Sequence, residues 1–292
     1  MLWVGGAVWV LVVALLLIAL FRQRGEEPLE ALSLTAQQSL GARAWIIGGG
    51  IVMPVVVLLG LIILTVGALR LMAATTPSDE VVIEVIGHQW WWEVRYLNQN
   101  VITANELHLP VGQPLEIKLT SVDVIHSFWV PELHGKFDLI PGRTNRFVLQ
   151  ADQPGEYRGQ CAEFCGLQHA KMAILVVAQA PEDFMAWLDQ QAQPAPQPTE
   201  PAALAGRQIF LESACRECHT IRGVSASNGA GPDLTHLAGR RTLAAGTRLN
   251  TPEHLAEWIS APQAVKPGNL MPETSLTPEE LSSLLAYLES LK

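Results

Sequence analysis

The chain has 292 residues, 49% of them apolar and 16% charged, and a formal net charge of −9. That length accommodates about two domains of ordinary size. The acidic balance rules against nucleic acid and suits either plain solubility or a basic protein partner steered in by the field.

Residues 2–21, LWVGGAVWVLVVALLLIALF, carry no charge, and a second uncharged run extends from Ala44 to Leu69. A spanning helix needs roughly 20 apolar residues. Both runs are therefore expected to be transmembrane helices, about 2–21 and 44–69, paired as a hairpin within residues 1–77. A cleaved signal peptide is the competing reading of the first run, but it calls for a basic start, a shorter apolar core and a small-residue cleavage site. The first charge is Arg22, at the far end. Pro54 and the triplet Gly48–Gly50 are tolerable in a membrane helix whose neighbours satisfy the freed backbone groups. Arg22, Arg24 and Arg43 lie in the connecting segment, against Arg70 beyond the second run. Basic loops stay in the cytoplasm, which puts both ends of the hairpin, and all that follows, on the outer side of the membrane.

From 78 to 182 the pattern becomes strand-like. In PLEIKLT, Leu115, Ile117 and Leu119 alternate with Glu116, Lys118 and Thr120, the period-2 signature of a half-buried strand. Similar runs, NRFVLQ and MAILVVA, are separated by LPVGQP, IPGR and QPGE. Short strands spaced by turns predict a β-sandwich or barrel, with acidic side chains outnumbering basic ones.

Within this region CAEFCGLQHAKM gathers Cys161, Glu163, Cys165, His169 and Met172 into twelve positions. A mononuclear blue-copper centre uses two His, one Cys and a weak Met; here a second Cys is present. The second His is expected from another strand, and DVIHSFWVP supplies His126. Two thiolates, two imidazoles and a thioether can hold two copper ions bridged by both sulfurs, with the backbone carbonyl of Glu163 as sixth donor. Sharing one electron over two ions spreads the geometry change and favours fast transfer. The competing reading is a Cys161–Cys165 disulfide, since this side of the membrane is oxidising, but it leaves His126, His169 and Met172 without a role. His88, His108 and His134 have no donor cluster in sequence and are expected to be packed or solvated.

DQQAQPAPQPTEPAA then reads as a semi-extended tether over 183–203. The last segment, 204–292, changes to helical period: Leu281, Leu284, Leu285 and Leu288 share a face, behind Thr277, Pro278 and Glu280, which form a capping box with proline in the first turn. In CRECH, Cys215 and Cys218 stand one helical turn apart, the spacing that meets two vinyl groups of one haem, and His219 follows to bind the iron. A redox Cys pair and half a zinc site are the alternatives, and no second Cys/His pair lies downstream for zinc. Met271, between a Gly-Asn step and Pro272 in KPGNLMPETSL, is the candidate for the opposite haem face, with His236 and His254 as rivals.

Taken together, these residues resemble subunit II of bacterial cytochrome c oxidase in the form with a fused C-terminal cytochrome c domain. GHQWWWEVRY is similar to that family's aromatic segment, DVIHSFWVPELHGKFDLIPGR to its first-ligand region and CAEFCGLQHAKM to its binuclear copper loop. The resemblance covers nearly the whole chain. It implies a multidomain membrane protein made of a two-helix transmembrane hairpin, a cupredoxin-like β-sandwich or barrel and a small all-α cytochrome c domain. It implies copper A ligands His126, Cys161, Glu163 (backbone oxygen), Cys165, His169 and Met172, and a magnesium or manganese ion reached by the Glu163 carboxylate at the border with subunit I. Trp90 matches the position where electrons arrive from a docked cytochrome c, although an aromatic anchor at the membrane surface is the plainer reading of a Trp there. Asp138 and Arg143 match a polar segment that faces haem propionates of subunit I. Two departures stand out: Trp91 replaces a usual Tyr, and LGARAWIIGGG lacks the acid that the family carries before its second helix. Glu26, Glu27 and Glu30 are the nearest substitutes on that side.

The resulting expectation is a subunit of a proton-translocating oxidoreductase in the bacterial cytoplasmic membrane. A cytochrome c delivers electrons to a covalent haem c, from which they reach copper A and then subunit I, where oxygen becomes water; subunit III is a further expected partner, and the lipid bilayer holds the hairpin. The alternatives are the corresponding subunit of a copper-A nitric oxide reductase, or a copper-handling or redox-sensing membrane protein without enzymatic partners.

Overall fold

A computed structural model describes residues 2–21, 40–73 and 77–292. The chain divides into two units, Met1–Met72 and Ala73–Lys292. In the first, α1 (Leu2–Phe21) is followed by α2 (Leu40–Ile47), one wide π-helical turn (Gly48–Val52) and α3 (Met53–Ala73). Pro54 lacks an N–H and crowds the carbonyl four residues back. Widening the preceding turn relieves that crowding, and the run of glycines there offers no side chains to resist it. The second helical stretch thus extends beyond the expected 44–69 at both ends. Among the described residues one stretch, Arg43–Arg70, 28 residues with a mean hydropathy of 2.8, is long and apolar enough to cross a membrane, and Gly5–Phe21 is a shorter apolar helix. None of the side chains described on these helices is buried. Arg22, Arg24, Glu26, Glu27 and Glu30, on which the orientation and acid arguments drew, lie outside the described residues.

The second unit opens with ten strands: β1 (Ser78–His88), β2 (Trp91–Tyr96), β3 (Val101–Ala104), β4 (Glu106–Pro110), β5 (Leu115–Ser121), β6 (His126–Trp129), β7 (Phe137–Leu139), β8 (Asn145–Leu149), β9 (Gly155–Cys161) and β10 (Ala173–Gln179). They form two five-stranded sheets, β3-β2-β1-β5-β8 and β4-β10-β9-β6-β7, antiparallel except for the pairs β1/β5 and β4/β10. The alternation read in PLEIKLT is the burial pattern of β5: Leu115, Ile117 and Leu119 are fully buried and their neighbours half-buried. They join Trp92, Tyr96 and Phe128 in one core, where each such side chain contributes about 1.5–3 kcal/mol by leaving water.

The stretch expected to be a tether begins later than 183. Pro181–Ala192 is a helix, α4, with Pro in its first turn and Glu182 and Asp183 beside it. Phe184 and Leu188, four residues apart, enter the β core, and Trp187 stacks on His108 with centroids 3.9 Å apart. The Gln- and Ala-rich composition hid this apolar face.

The C-terminal module follows: α5 (Pro201–Glu212), α6 (Cys215–Cys218), the short strands β11 (Thr242–Leu243) and β12 (Arg248–Leu249), α7 (Pro252–Ser260), α8 (Pro262–Val265) and α9 (Pro278–Ser290). Thr277 caps α9 through the anticipated box, its hydroxyl accepting from Glu280 N at 3.2 Å while the Glu280 carboxylate accepts from Thr277 N at 2.8 Å. α5 and α9 cross at Gly206, where a Cβ would lie 1.9 Å from the Ser283 carbonyl oxygen. Only glycine admits so close an approach. Around the crossing Phe210, Tyr287, Leu284, Leu255 and Ile259 form a second core.

Candidate metal and haem sites

β6 and β9 are neighbours, with Phe128 opposite Cys161. This pairing brings His126, first residue of β6, beside Cys161, last residue of β9. The loop after β9 returns through Cys165 and a short turn at His169–Lys171 to Met172, immediately before β10. The sulfurs of Cys161 and Cys165 are 3.8 Å apart and both thiols are free, well beyond the roughly 2.05 Å of a disulfide bond. His126 Nδ1 lies 3.9 Å from the Cys161 sulfur, and His169 Nδ1 lies 3.7 Å from the Cys165 sulfur. The Met172 sulfur is 3.8 Å from that of Cys165, and the Glu163 carbonyl oxygen is 3.3 Å from that of Cys161. All six residues singled out in sequence therefore converge. His126, Cys161 and Cys165 are buried, with donor atoms within 4.8 Å of one another.

Two residues that sequence reading passed over position this cluster. Asp123 Oδ1 lies 2.8 Å from His126 Nε2, the arrangement that turns the other ring nitrogen toward a metal; the signal was an Asp three residues before the His. Gly87 on β1 is the other, since a Cβ there would lie 2.6 Å from His126 Cδ2. Burial opposes ionisation of Asp123, but hydrogen bonds from His126 and from the amides of Val124 and Gln89 hold its pKa below the ordinary value. The His126 pKa is raised, because Asp123 and Cys161 outweigh burial. A hydrogen bond from the Cys165 thiol pushes Cys161 down to about 3 against burial; that same bond, and burial, push Cys165 up. The metal-free pair thus shares one proton, which metal uptake must displace. Two sulfurs, two imidazoles and a thioether form the soft donor set that suits copper.

Trp90 is 8% exposed, and its indole Nε1 donates to the Cys165 carbonyl at 2.9 Å, beside Gln89 Nε2 at 2.7 Å. The Glu163 carboxylate pairs with Lys136 at 3.6 Å. Trp91 stacks on His88, centroids 4.1 Å apart. Asp138 has one buried carboxylate oxygen without a hydrogen-bond partner, while Arg143 is exposed. His88 pairs with Glu93, His108 with Trp187 and Gln179, and His134 packs on Phe137 and Phe147.

In the C-terminal module α6 places Cys215 and Cys218 one turn apart, both unpaired, with His219 N bonded to the Cys215 carbonyl at 2.9 Å. The His219 ring sets Nδ1 2.8 Å from the Pro232 carbonyl and leaves Nε2 for a ligand. Burial lowers its pKa and keeps it neutral, as iron ligation requires. Gly231 makes room for the ring, a Cβ there falling 2.7 Å from His219 Cε1. Met271 is half-buried against the module core, its N–H bonded to Asn269 Oδ1 at 2.7 Å and its carbonyl to Gln263 Nε2 at 3.0 Å. The rival histidines are engaged elsewhere. Both ring nitrogens of His236 face main-chain carbonyls, of Lys292 and Gln193, and His254 Nδ1 faces that of Leu249.

Comparison with known proteins bears on both sites. The family profile described as cytochrome C oxidase subunit II, periplasmic domain, matches residues 98–179, and the cytochrome c profile matches 203–292. The chain is 39% identical over 247 residues to cytochrome c oxidase subunit 2 of Alkalihalophilus pseudofirmus, covering 82% of this chain and 71% of that one. It is 31% identical over 259 residues to the Bacillus subtilis protein of the same description, covering 82% and 73%. Among solved structures it is similar to the periplasmic domain of subunit II of cytochrome oxidase from Bradyrhizobium japonicum, at 30% identity and a TM-score of 0.38, over 39% of this chain and 95% of that one.

Proposed function

The chain belongs to the cytochrome c oxidase subunit II family, and we propose that it is the subunit through which electrons enter a haem–copper oxidase. It receives them from a cytochrome c and delivers them to subunit I, where oxygen is reduced to water with proton pumping. Cys215 and Cys218 would attach a covalent haem c, and His219 and Met271 would ligate its iron. His126, Cys161, Cys165, His169, Met172 and the Glu163 carbonyl would hold a binuclear copper A centre. The bound metals supply one-electron chemistry. The protein's part is to fix the donors, through Asp123 on His126, Pro232 on His219 and the indole of Trp90 on the Cys165 carbonyl.

The observation that carries this reading is the pair of free sulfurs 3.8 Å apart with one imidazole Nδ1 against each. A disulfide needs no such histidines, and a mononuclear blue-copper site needs only one thiolate. The Glu163 carboxylate is the group offered to magnesium or manganese at the subunit I border. Residues 1–77 would cross the cytoplasmic membrane twice, placing the 78–182 and 204–292 domains on its outer side, with subunit III also in the assembly. The Alkalihalophilus pseudofirmus and Bacillus subtilis relatives, both described as cytochrome c oxidase subunit 2, favour oxygen over nitric oxide as substrate.

Metal and haem analysis of the purified oxidase tests the assignment. A copper pair and one covalent haem c for each copy of this chain, beyond any copper of the catalytic chain, are expected, together with oxygen consumption. A zinc ion, a single copper, or a Cys161–Cys165 disulfide in the active enzyme overturns it.

A further inference from the structure

We infer that Gln263 and Asn269 are positioning residues for the haem. Their two side-chain amides close the loop before Met271 into a clip, which fixes that residue for iron ligation and resists its exchange for another ligand. The inference deepens the proposed function and rests on it in one respect, the assignment of Met271 to the iron. The clip itself is made of hydrogen bonds within residues 262–271.

Gln263 stands in α8, the single turn that follows α7. Its Nε2 donates to the carbonyls of Asn269 at 2.9 Å and Met271 at 3.0 Å, and its Oε1 accepts from the Gly268 amide at 2.9 Å. Asn269 closes the loop from its other limb. Its Oδ1 accepts from the Met271 amide at 2.7 Å, and its Nδ2 donates to the carbonyls of Pro262 at 2.9 Å and Lys266 at 2.7 Å. Both amides are used at both ends. Turning either one over would set its oxygen against two carbonyls and its NH2 against an N–H. Met271 is thus gripped at both main-chain polar groups, its N–H by Asn269 and its carbonyl by Gln263.

Supports that reach this loop from the β domain stop short of the ligand. Lys266 Nζ donates to the Trp90 carbonyl at 2.7 Å, and Gln168 Nε2 to that of Pro267 at 2.5 Å. Gly268 then turns the chain at φ +81°, and from there to Met271 the backbone is neither helix nor strand. Leu270 is 77% exposed, whereas Met271 packs on the module core. A slip of one residue would therefore turn a leucine inward in place of the thioether. Beyond the ligand, Thr274 Oγ1 donates to the Ile259 carbonyl at 3.0 Å and ties the exit of the loop to α7.

A thioether is a neutral, weak donor, so its hold on a metal depends on how little ordering the bond still has to impose. A loop already fixed in the bound form loses less conformational entropy on ligation. Partners that orient a metal ligand are typically worth about 10–100-fold in affinity. Here the partners act on the main chain of the ligand, because the sulfur itself offers them nothing to donate.

Titration of the ferric, purified oxidase with imidazole, followed at the haem c absorbance, tests this, since imidazole must displace the thioether to bind. Gln263→Leu removes three hydrogen bonds and keeps the bulk. It should tighten imidazole binding by about tenfold or more and lower the haem potential. Asn269→Ser is the milder variant: its hydroxyl still accepts from the Met271 amide but falls short of Pro262 and Lys266, and it should tighten binding by about threefold or more. It decides the matter alone should Gln263→Leu fail to take up haem. Gly206→Ala, at the α5–α9 crossing, is the control, expected to lower the melting temperature and leave the imidazole affinity unchanged. Wild-type affinity in both amide variants, or an equal gain in Gly206→Ala, overturns the clip while the Met271 assignment stands. Absence of the iron–thioether absorbance from the wild-type oxidase removes that assignment, and the clip with it.

Discussion

Asp123 Oδ1 lies 2.8 Å from His126 Nε2, while the other nitrogen of that ring faces the Cys161 sulfur at 3.9 Å. The carboxylate fixes which nitrogen carries the proton and which is free to bind metal. Asp123→Ala removes that control without touching a ligand, and should weaken copper binding by about 10–100-fold, as losses of such supporting partners typically do. Chelator competition on the purified protein measures it, with the haem spectrum as an internal control. Unchanged copper affinity would show that the His126 ring is held by packing alone.

The two methionines should separate the two centres. Met172 is fully buried beside Cys165, and a Met→Leu exchange conserves volume, costing less than about 1.5 kcal/mol. Met172→Leu should therefore fold, alter the copper signal and leave the haem absorbance as it was. Met271→Leu should do the reverse and lower the haem potential, because a thioether ligand raises it. Optical and paramagnetic resonance spectra read both, and loss of both signals in either variant contradicts separate sites.

What could be read from sequence was what lies close in sequence. CRECH holds three of the groups proposed to bind haem in five residues, and Cys161 to Met172 holds five of the proposed copper donors in twelve. His126 was reachable because a second imidazole was chemically required and DVIHSF lay in a strand. The contacts of Lys266 were not reachable. Its main partner, Trp90, is 176 residues away, and no periodicity or motif encodes which carbonyl a lone lysine meets across two modules. α4 failed for a different reason: Phe184 and Leu188 do mark a helical face, but the prolines and glutamines that follow dominate the composition. The tether reading over 183–192 followed from that.

At the α5–α9 crossing, an alanine Cβ at position 206 would fall 1.9 Å from the Ser283 carbonyl oxygen and 2.8 Å from Tyr287 Cβ. The helices must part to admit it. Gly206→Ala should cost about 1–3 kcal/mol despite the better helix propensity of alanine, lowering the melting temperature of the haem module by on the order of 10 °C. Thermal melts followed at the haem band measure this. A melting point that rises would mean that the crossing is looser than drawn.

Glu93 on β2 is nearly buried and accepts hydrogen bonds from His88 Nε2 at 3.0 Å and Arg95 Nε at 2.5 Å. Burial pushes its pKa up, but those two partners win and hold it below its ordinary value of 4.5. The sign follows: a depressed carboxyl adds stability that is fully present above the unfolded value and is lost as the pH falls through the folded one. Glu93→Gln, which keeps the shape and removes the charge, should lose about 1.5–3 kcal/mol at neutral pH, the scale of a hydrogen bond to an ionised group. The gap between wild type and variant should then narrow as the pH falls below about 4.5 toward about 3. Melts across that range on the intact protein decide it. A gap that is as wide at pH about 3 as at about 7 would mean that the carboxylate's charge contributes nothing.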